Sequence, residues 1–288
     1  MNDIKYYFEK AKQEQFAIGA FNVVNIETLK AIVGAAYELK SPVIIEASAG
    51  EVSYIGDKEL RALVDVYKER FNIPIFLNLD HSHDVQASFE AINAGYDLIH
   101  FDGGELDYQL NIEQTKQVVE KAHTSNLLVE GEIDHIQGSS ADHRQTDASE
   151  MQKLGSYTKP EQALDFVTKT NVDIFASFIG NVHGIYKESP VLDLVLLKQI
   201  SSIVPETYLS LHGGSGISAQ YIIGAIDSGN IVKINVNSEL RIAFKETLTK
   251  VVNDTDEIAV YKFMGPVIDS VKQVVMDKMQ LFGSVGKI

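Results

Sequence analysis

The sequence predicts an α/β protein, a (β/α)8 TIM barrel with an extra C-terminal helix, and three observations carry that expectation. Eight short apolar runs of strand length recur at residues 17–23, 42–48, 74–80, 98–103, 127–133, 174–179, 208–214 and 232–237. Segments whose apolar residues repeat near every 3.6 positions separate most of them. The length, 288 residues, is close to what eight strand–helix units need. An open doubly wound sheet has the same periodicities, so it stands as the alternative until closure is seen.

The runs are mostly apolar throughout, which fits strands buried on both faces. The helical segments are clearest at 27–39, where Leu29, Ile32, Val33 and Ala36 share a face, and at 109–122, where Leu110, Ile112, Val118 and Val119 do. Thr158 and Pro160 read as a helix start, with Thr158 as cap and Pro160 in the first turn. Two stretches break the alternation. Residues 134–157 are polar and rich in Ser, Asp and Gln; following a barrel strand, a loop this long is expected to be a mobile active-site lid. Residues 267–282 form an amphipathic helix outside the eightfold count, expected to cover the barrel or join a subunit interface. Residues 1–288 read as a single domain, with no repeat beyond the alternation and no linker.

With 45% hydrophobic and 23% charged residues, the chain has ample core for a soluble domain. A net charge of −15 without a long basic run argues against nucleic acid and membrane surfaces as partners. An anionic substrate would need local donors working against that field. No run approaches the roughly 18 apolar residues of a spanning helix, and the first residues lack a signal-peptide core, so the expected location is cytoplasmic. Cysteine is absent, so any transition metal must rest on His and carboxylate.

Barrels place their chemistry at the carboxyl ends of the strands. Reading only those ends gives Asn22, Ser48, Asp80 with His81, Asp102, Glu132, His183, His212 with Gly213, Gly214 and Ser215, and Asn235 with Asn237 and Ser238. Asp80 beside His81 is weak evidence alone, because neighbours on a strand face opposite sides. Three neutral imidazoles, His81, His183 and His212, with an open position match a catalytic zinc site. Each taken singly is as readily a capping or core histidine; it is the set at strand ends that points to a metal. His100, inside the fourth run, is assigned to barrel packing, and His83, His123, His135 and His143 to solvent or the 134–157 stretch. Gly184, Gly213, Gly214 and Gly216 let bare backbone approach a ligand. Such loops bind phosphate through N–H groups, and barrels commonly do so after strands seven and eight, where 213–215 and 235–238 fall.

These residues carry a family resemblance. Asn22, Leu79 with Asp80 and His81, Asp102 with Gly103, Glu130 with Gly131 and Glu132, His183 with Gly184, residues 211–216 and residues 233–237 resemble the class II, zinc-dependent ketose-bisphosphate aldolases. The order is kept from about residue 17 to the C-terminus. The resemblance implies aldol cleavage of a ketose 1-phosphate or 1,6-bisphosphate, of fructose or tagatose type, to dihydroxyacetone phosphate and an aldehyde. It implies Zn2+ on His81, His183 and His212, and Asp80 taking the C4 hydroxyl proton. Glu132 and Asp102 would lie beside the metal or offer it an alternate position. Asn22, Ser48, Gly184, Gly213, Gly214, Ser215, Asn235, Asn237 and Ser238 would hold the phosphorylated sugar. A monovalent cation (Na+ or K+) and a homodimer or homotetramer are implied as well. Breaking C3–C4 leaves an enediolate, which needs a Lewis acid or a Schiff base. Lys233 could in principle supply the latter, but its neighbour Asn235 favours a structural role.

Two departures stand out. Relatives carry a glycine pair followed by Glu–Asp in the lid; here Ser140 or Ala141 takes the acid's place, and neither can exchange protons. Asp142, His135 and His143 are the candidates to replace it. An Asp–Pro–Arg triplet, whose Arg grips the distal phosphate of a neighbouring subunit's substrate, is replaced by Val260, Tyr261 and Lys262, with Lys262 a partial substitute. Gly104 also stands where the family has Ser. The pattern favours a ketose 1-phosphate whose other end is not the standard one. A catalytically reduced sugar-phosphate-binding barrel and a metal-dependent sugar-phosphate epimerase are the alternatives.

Overall fold

A computed structural model describes residues 3–288. Its strands, in chain order, are β1 Ile18–Asn22, β2 Val43–Ser48, β3 Ile75–Ser82, β4 Leu98–Asp102, β5 Leu128–Glu132, β6 Gly138–His143, β7 Ile174–Ala176, β8 His183–Tyr186, β9 Tyr208–Leu211 and β10 Ile231–Val236. Eight of these close a parallel barrel in the order β1-β10-β9-β7-β5-β4-β3-β2. Each barrel strand falls on one of the eight apolar runs, and closure settles the choice against an open sheet.

Alternation along each strand sorts the barrel into layers. Inward positions nearest the strand starts are apolar: Ile44, Phe76, Leu98, Leu128 and Ile174 cluster with Tyr7 and Phe8 of the N-terminal helix Ile4–Glu14, which plugs that end. Two residues further on, inward positions turn polar and stay fully buried: Glu46, Asn78, His100 and Glu130. Two further on again come Ser48, Asp80, Asp102 and Glu132 at the rim. Outward positions such as Ile45, Leu77, Ile99 and Val129 pack against the helices.

The C-terminal helix runs Val260–Leu281, longer at its start than the pattern suggested. It lies on helices Ile26–Leu39 and Ser238–Asp254, burying Val267, Val271, Val275 and Met279, so it covers the barrel. The 134–157 stretch has structure of its own. Strand β6 pairs in parallel with β8 outside the barrel, helix Ala148–Gln152 follows, and Ile136, Ala148, Phe178, Val182 and Tyr186 form a small core beneath them. Thr158 is not the helix cap expected of it. Helix Pro160–Thr170 does open on Pro160, but Thr158 donates to Asp134 Oδ2 at 2.6 Å and accepts from the Phe178 N–H at 2.9 Å. Two partners beyond the helix hold its hydroxyl away from the cap position. Among the described residues, no helix is long and apolar enough to cross a membrane.

Candidate active site

Strand β3 ends in an irregularity that decides the site. Its register with β4 shifts between Leu79 and Ser82, and His81 has φ near +49°, a left-handed conformation unusual for a side chain of its size. That local turn removes the alternation rule. Asp80 and His81 therefore line the same cavity, with His81 Nε2 3.9 Å from Asp80 Oδ1. The cavity, about 40 Å³, is also lined by Asn22, Ser140, His183, Gly184, Gly213, Ser215, Asn235, Asn237 and Ser238. An outer cleft that shares Asp80, His81 and His183 adds Ser48, Asp102, Glu132, His135 and Arg241. All the rim residues singled out in the sequence come to this mouth except His212 and Gly214, which lie just beneath it.

Two histidines meet directly. His81 Nε2 and His212 Nδ1 face each other at 3.0 Å. Their other ring nitrogens are bound to carboxylates, His81 Nδ1 to Asp102 Oδ2 at 2.7 Å and His212 Nε2 to Glu130 Oε1 at 2.7 Å. Carboxylates behind metal-binding histidines fix ring orientation in this way. Nitrogens about 2.05 Å from a tetrahedral zinc stand about 3.3 Å apart, so the facing pair fits such an ion. Burial pulls His212 and His183 below the ordinary imidazole range, His183 strongly, which keeps them neutral as ligands must be. His81 differs: burial opposes its charge, but Asp80 and Asp102 raise it to about 9 when no ion is bound. His183 stands further out, its ring centre 5.2 Å from that of His81 and 6.1 Å from that of His212. It opens strand β8, so it belongs to the outer sheet and not to a barrel strand.

Carboxylates surround the pair. Glu132 is fully buried with neither oxygen hydrogen-bonded, and burial together with the Asp102 charge holds its carboxyl well above the usual range. Donor atoms of His81, Asp102 and Glu132 lie within 4.8 Å of one another, and so do those of His81, His100 and His212. An orphaned carboxylate beside facing imidazoles is a donor set suited to a divalent cation. His100 thus does more than pack. Its ring centre is 4.5 Å from that of His81, and its Nδ1 accepts the His81 backbone N–H at 3.2 Å.

Asp80 is held from two sides. Asn22 donates to its Oδ2 at 3.0 Å and Asn235 to its Oδ1 at 3.3 Å. Burial would raise this carboxyl, but His81 and Lys233 nearby leave it below the usual carboxylate value, so it is an anion ready to accept a proton. Lys233, fully buried, lies under the whole arrangement. Its ammonium donates to Asn235 Oδ1 at 2.6 Å and lies 2.9 Å from Glu130 Oε2 and 3.6 Å from Glu46 Oε2. Burial and the Asp80 charge push Glu46 up to about 8, leaving Lys233 and Glu130 as the charged pair. With its donors committed to these partners, Lys233 has a structural place and not that of a Schiff-base amine.

The glycine loops are tight for a reason. Gly213 and Gly184 have φ near +65° and +110°, and a Cβ on Gly213 would strike the Val182 carbonyl. Ser48 turns its hydroxyl to Glu51 at 3.0 Å, and Glu51 in turn binds Asn22 at 2.9 Å and Arg241 at 2.8 Å.

Sequence similarity agrees with this geometry. Residues 2–287 match the family described as fructose-bisphosphate aldolase class-II. The chain belongs to the class II fructose-bisphosphate aldolases. This aldolase is 34% identical to a protein named sulfofructosephosphate aldolase from Alkalicoccus urumqiensis, over 98% of this chain and 96% of that one. It is 35% identical to a fructose-bisphosphate aldolase from Thermus caldophilus, over 96% of each. Among solved structures, the YdjI aldolase of Escherichia coli K12 superposes with a TM-score of 0.84 at 30% identity, covering 100% of this chain and 99% of the other. The class is metal-dependent, and its members cleave ketose phosphates by aldol chemistry, so the aldolase is a carbon–carbon lyase.

Three residues of the site escaped the sequence reading. His100 reads in sequence as packing, and neither Glu51 nor Arg241 stands at the end of an apolar run. A signal existed for Arg241: it lies four residues after Asn237, one turn along the helix that the phosphate-type loop opens, on the same side. The residue proposed to stand in for the absent distal arginine, Lys262, instead pairs with Glu257 at 2.8 Å on an exposed surface. Of the three candidates for the missing lid acid, Asp142 is held by a two-pronged contact from Arg144 and His143 stacks on Tyr186; His135 is the one that lines the outer cleft.

Proposed function

We propose that the metal is Zn2+ held by His81, His183 and His212, and that the substrate is a ketose 1-phosphate whose far end carries at most one negative charge. The observation that carries the metal assignment is the facing of His81 Nε2 and His212 Nδ1 with a carboxylate behind each ring. Bound zinc supplies Lewis-acid stabilisation of the charge left on the three-carbon half. Asp80 accepts the proton of the C4 hydroxyl as the C3–C4 bond breaks, and the aldehyde departs. Asn22 and Asn235 keep both Asp80 oxygens aimed during the transfer. Gly184, Gly213, Gly214, Ser215, Asn235, Asn237 and Ser238 bind the phosphate end, with a monovalent cation beside it. The 134–157 segment, through Ser140, shields the cavity from water.

Arg241 supports the reading of the far end. It reaches the outer cleft from helix Ser238–Asp254, already paired with Glu51 and with the Ser140 carbonyl at 3.1 Å. One guanidinium beside a carboxylate suits a hydroxyl or a monoanion such as a sulfonate better than a phosphate dianion. The relative whose name carries a sulfo group is consistent with that choice.

The test is metal analysis of the protein and of His212→Ala, together with cleavage of fructose and tagatose 1,6-bisphosphates, the matching 1-phosphates and a 6-deoxy-6-sulfo ketose 1-phosphate. Zinc should co-purify at one per chain and be lost from the variant, and a 1-phosphate or sulfo-sugar should match or exceed the bisphosphates in kcat/KM. Full metal retention in the variant would remove His212 from the ligand set. A preference of several hundred-fold for a bisphosphate over its 1-phosphate, about 3 kcal/mol or more of distal binding, would remove the substrate reading.

A further inference from the structure

The helix that covers the barrel carries one charge inward. Lys278 lies on the face that buries Val271, Val275 and Met279, and is itself buried. Its ammonium is 2.7 Å from Glu239 Oε1 and 3.4 Å from the carbonyl oxygen of Gly214. Glu239 stands in the first turn of helix Ser238–Asp254. Its carboxylate accepts the Gly216 N–H at 2.7 Å, and its own N–H donates to Ser215 Oγ at 3.3 Å. Glu239 thereby latches the 213–216 loop to the helix that follows β10, joining the two segments that frame the inner cavity.

That latch has an electrostatic cost. It fixes a carboxylate against the loop proposed above as the phosphate site, in a chain that already carries a net charge of −15. Lys278 answers it from the far side, and it lines no part of the cavity. We propose that Lys278 is a positioning residue that sets the phosphate affinity of the 213–216 loop from behind, by neutralising Glu239 and tethering the Gly214 carbonyl. The inference rests on reading that loop as the phosphate site. It also gives the extra helix a task beyond covering apolar surface: it delivers a cation beneath the ligand cradle.

The experiment compares the metal-loaded full-length protein with Lys278→Met, Lys278→Arg, Glu239→Gln and the Lys278→Met/Glu239→Gln double variant. The readout is calorimetric Kd for inorganic phosphate and for dihydroxyacetone phosphate, with metal content measured alongside. A unit charge several ångströms from a bound anion at an effective dielectric near 20 changes affinity by about 10–30-fold, which is the loss expected of Lys278→Met. Lys278→Arg keeps the charge and should stay within about threefold. Glu239→Gln keeps an acceptor for Gly216 while removing the repulsion, so it should tighten binding, and the double variant should return to about the wild-type value. Wild-type affinity in Lys278→Met, a loss that the second substitution does not relieve, or no tightening in Glu239→Gln would each overturn the role; the last decides the matter even if Lys278→Met fails to fold. Those results differ from a wild-type protein that binds neither probe, which would overturn the phosphate reading of the loop itself.

Discussion

At the floor of the cavity, Lys233, Glu130, His212, Asn235 and Asp80 are all buried, and each is joined to at least two polar neighbours. Further out, Arg241 at the outer cleft and Arg144 and Lys262 beyond it are about half exposed and pair with Glu51, Asp142, Glu246 and Glu257. The floor is a closed circuit of charges, in which removing one member strands the others in low dielectric. Exposed ion pairs such as these contribute little to stability, so residues there can be exchanged at small structural cost. Of the departures from the family pattern, Ser140 lines the cavity, while Ala141, Tyr261 and Lys262 are exposed and lie outside its lining. The difference teaches that the buried circuit is fixed by the fold, while the outer side chains can change at small structural cost.

The strongest way to break that comparison is at Asp80. Asp80→Ala should retain the metal but lose about 10²–10⁴-fold in kcat, the scale of a general acid–base group. Single-turnover kinetics with metal content measured in parallel would check it, and near-normal turnover would end the proton-transfer role. Next is Lys233. Lys233→Met should destabilise the fold by about 3–5 kcal/mol, because Glu130 is left as an unpaired buried charge. Since Glu130 orients His212, metal affinity in a chelator competition should also fall by about 10–100-fold. Adding Glu130→Gln should recover stability in denaturant titrations but not the metal affinity. Recovery of both would mean that Glu130 does not orient the ligand. The smallest effect belongs to the mouth. Arg241→Ala should cost about 1.5–3 kcal/mol in kcat/KM for a sulfonated substrate and much less for an uncharged far end. Thermal stability should hardly change, and an equal loss on both substrates would argue that Arg241 acts through Glu51 and Asn22 instead of on the substrate.

Much of the barrel is legible in the chain because buried parallel strands are nearly continuous apolar runs, and all eight stand out that way. The rim was legible for the same reason: polar residues such as Asp102 and Glu132 are conspicuous at the end of such runs. What resisted reading was geometry that periodicity does not encode. The turn at His81, with its positive φ, sends two adjacent side chains into one cavity where alternation would separate them. His183 looks like the end of a sixth strand, yet it opens β8 of a separate sheet, because the chain leaves the barrel at Ala176. Arg241 has only its spacing from Asn237 to mark it among helical arginines, and the proximity of Glu51, 190 positions earlier, is what gives it a place.

The pairing of β6 with β8 ties one imidazole of the site to a different part of the fold from the other two. The His183 N–H donates to the Gln137 carbonyl at 2.8 Å, and His183 is in register with Gly138. His81 and His212, by contrast, are anchored to barrel strands and to buried carboxylates. Of the three imidazoles, His81 and His212 thus stand on the barrel wall with a carboxylate behind each ring, whereas His183 is tied through its backbone to the strand that flanks the cavity; a displacement of the 138–143 segment would carry that ring with it and leave the other two in place.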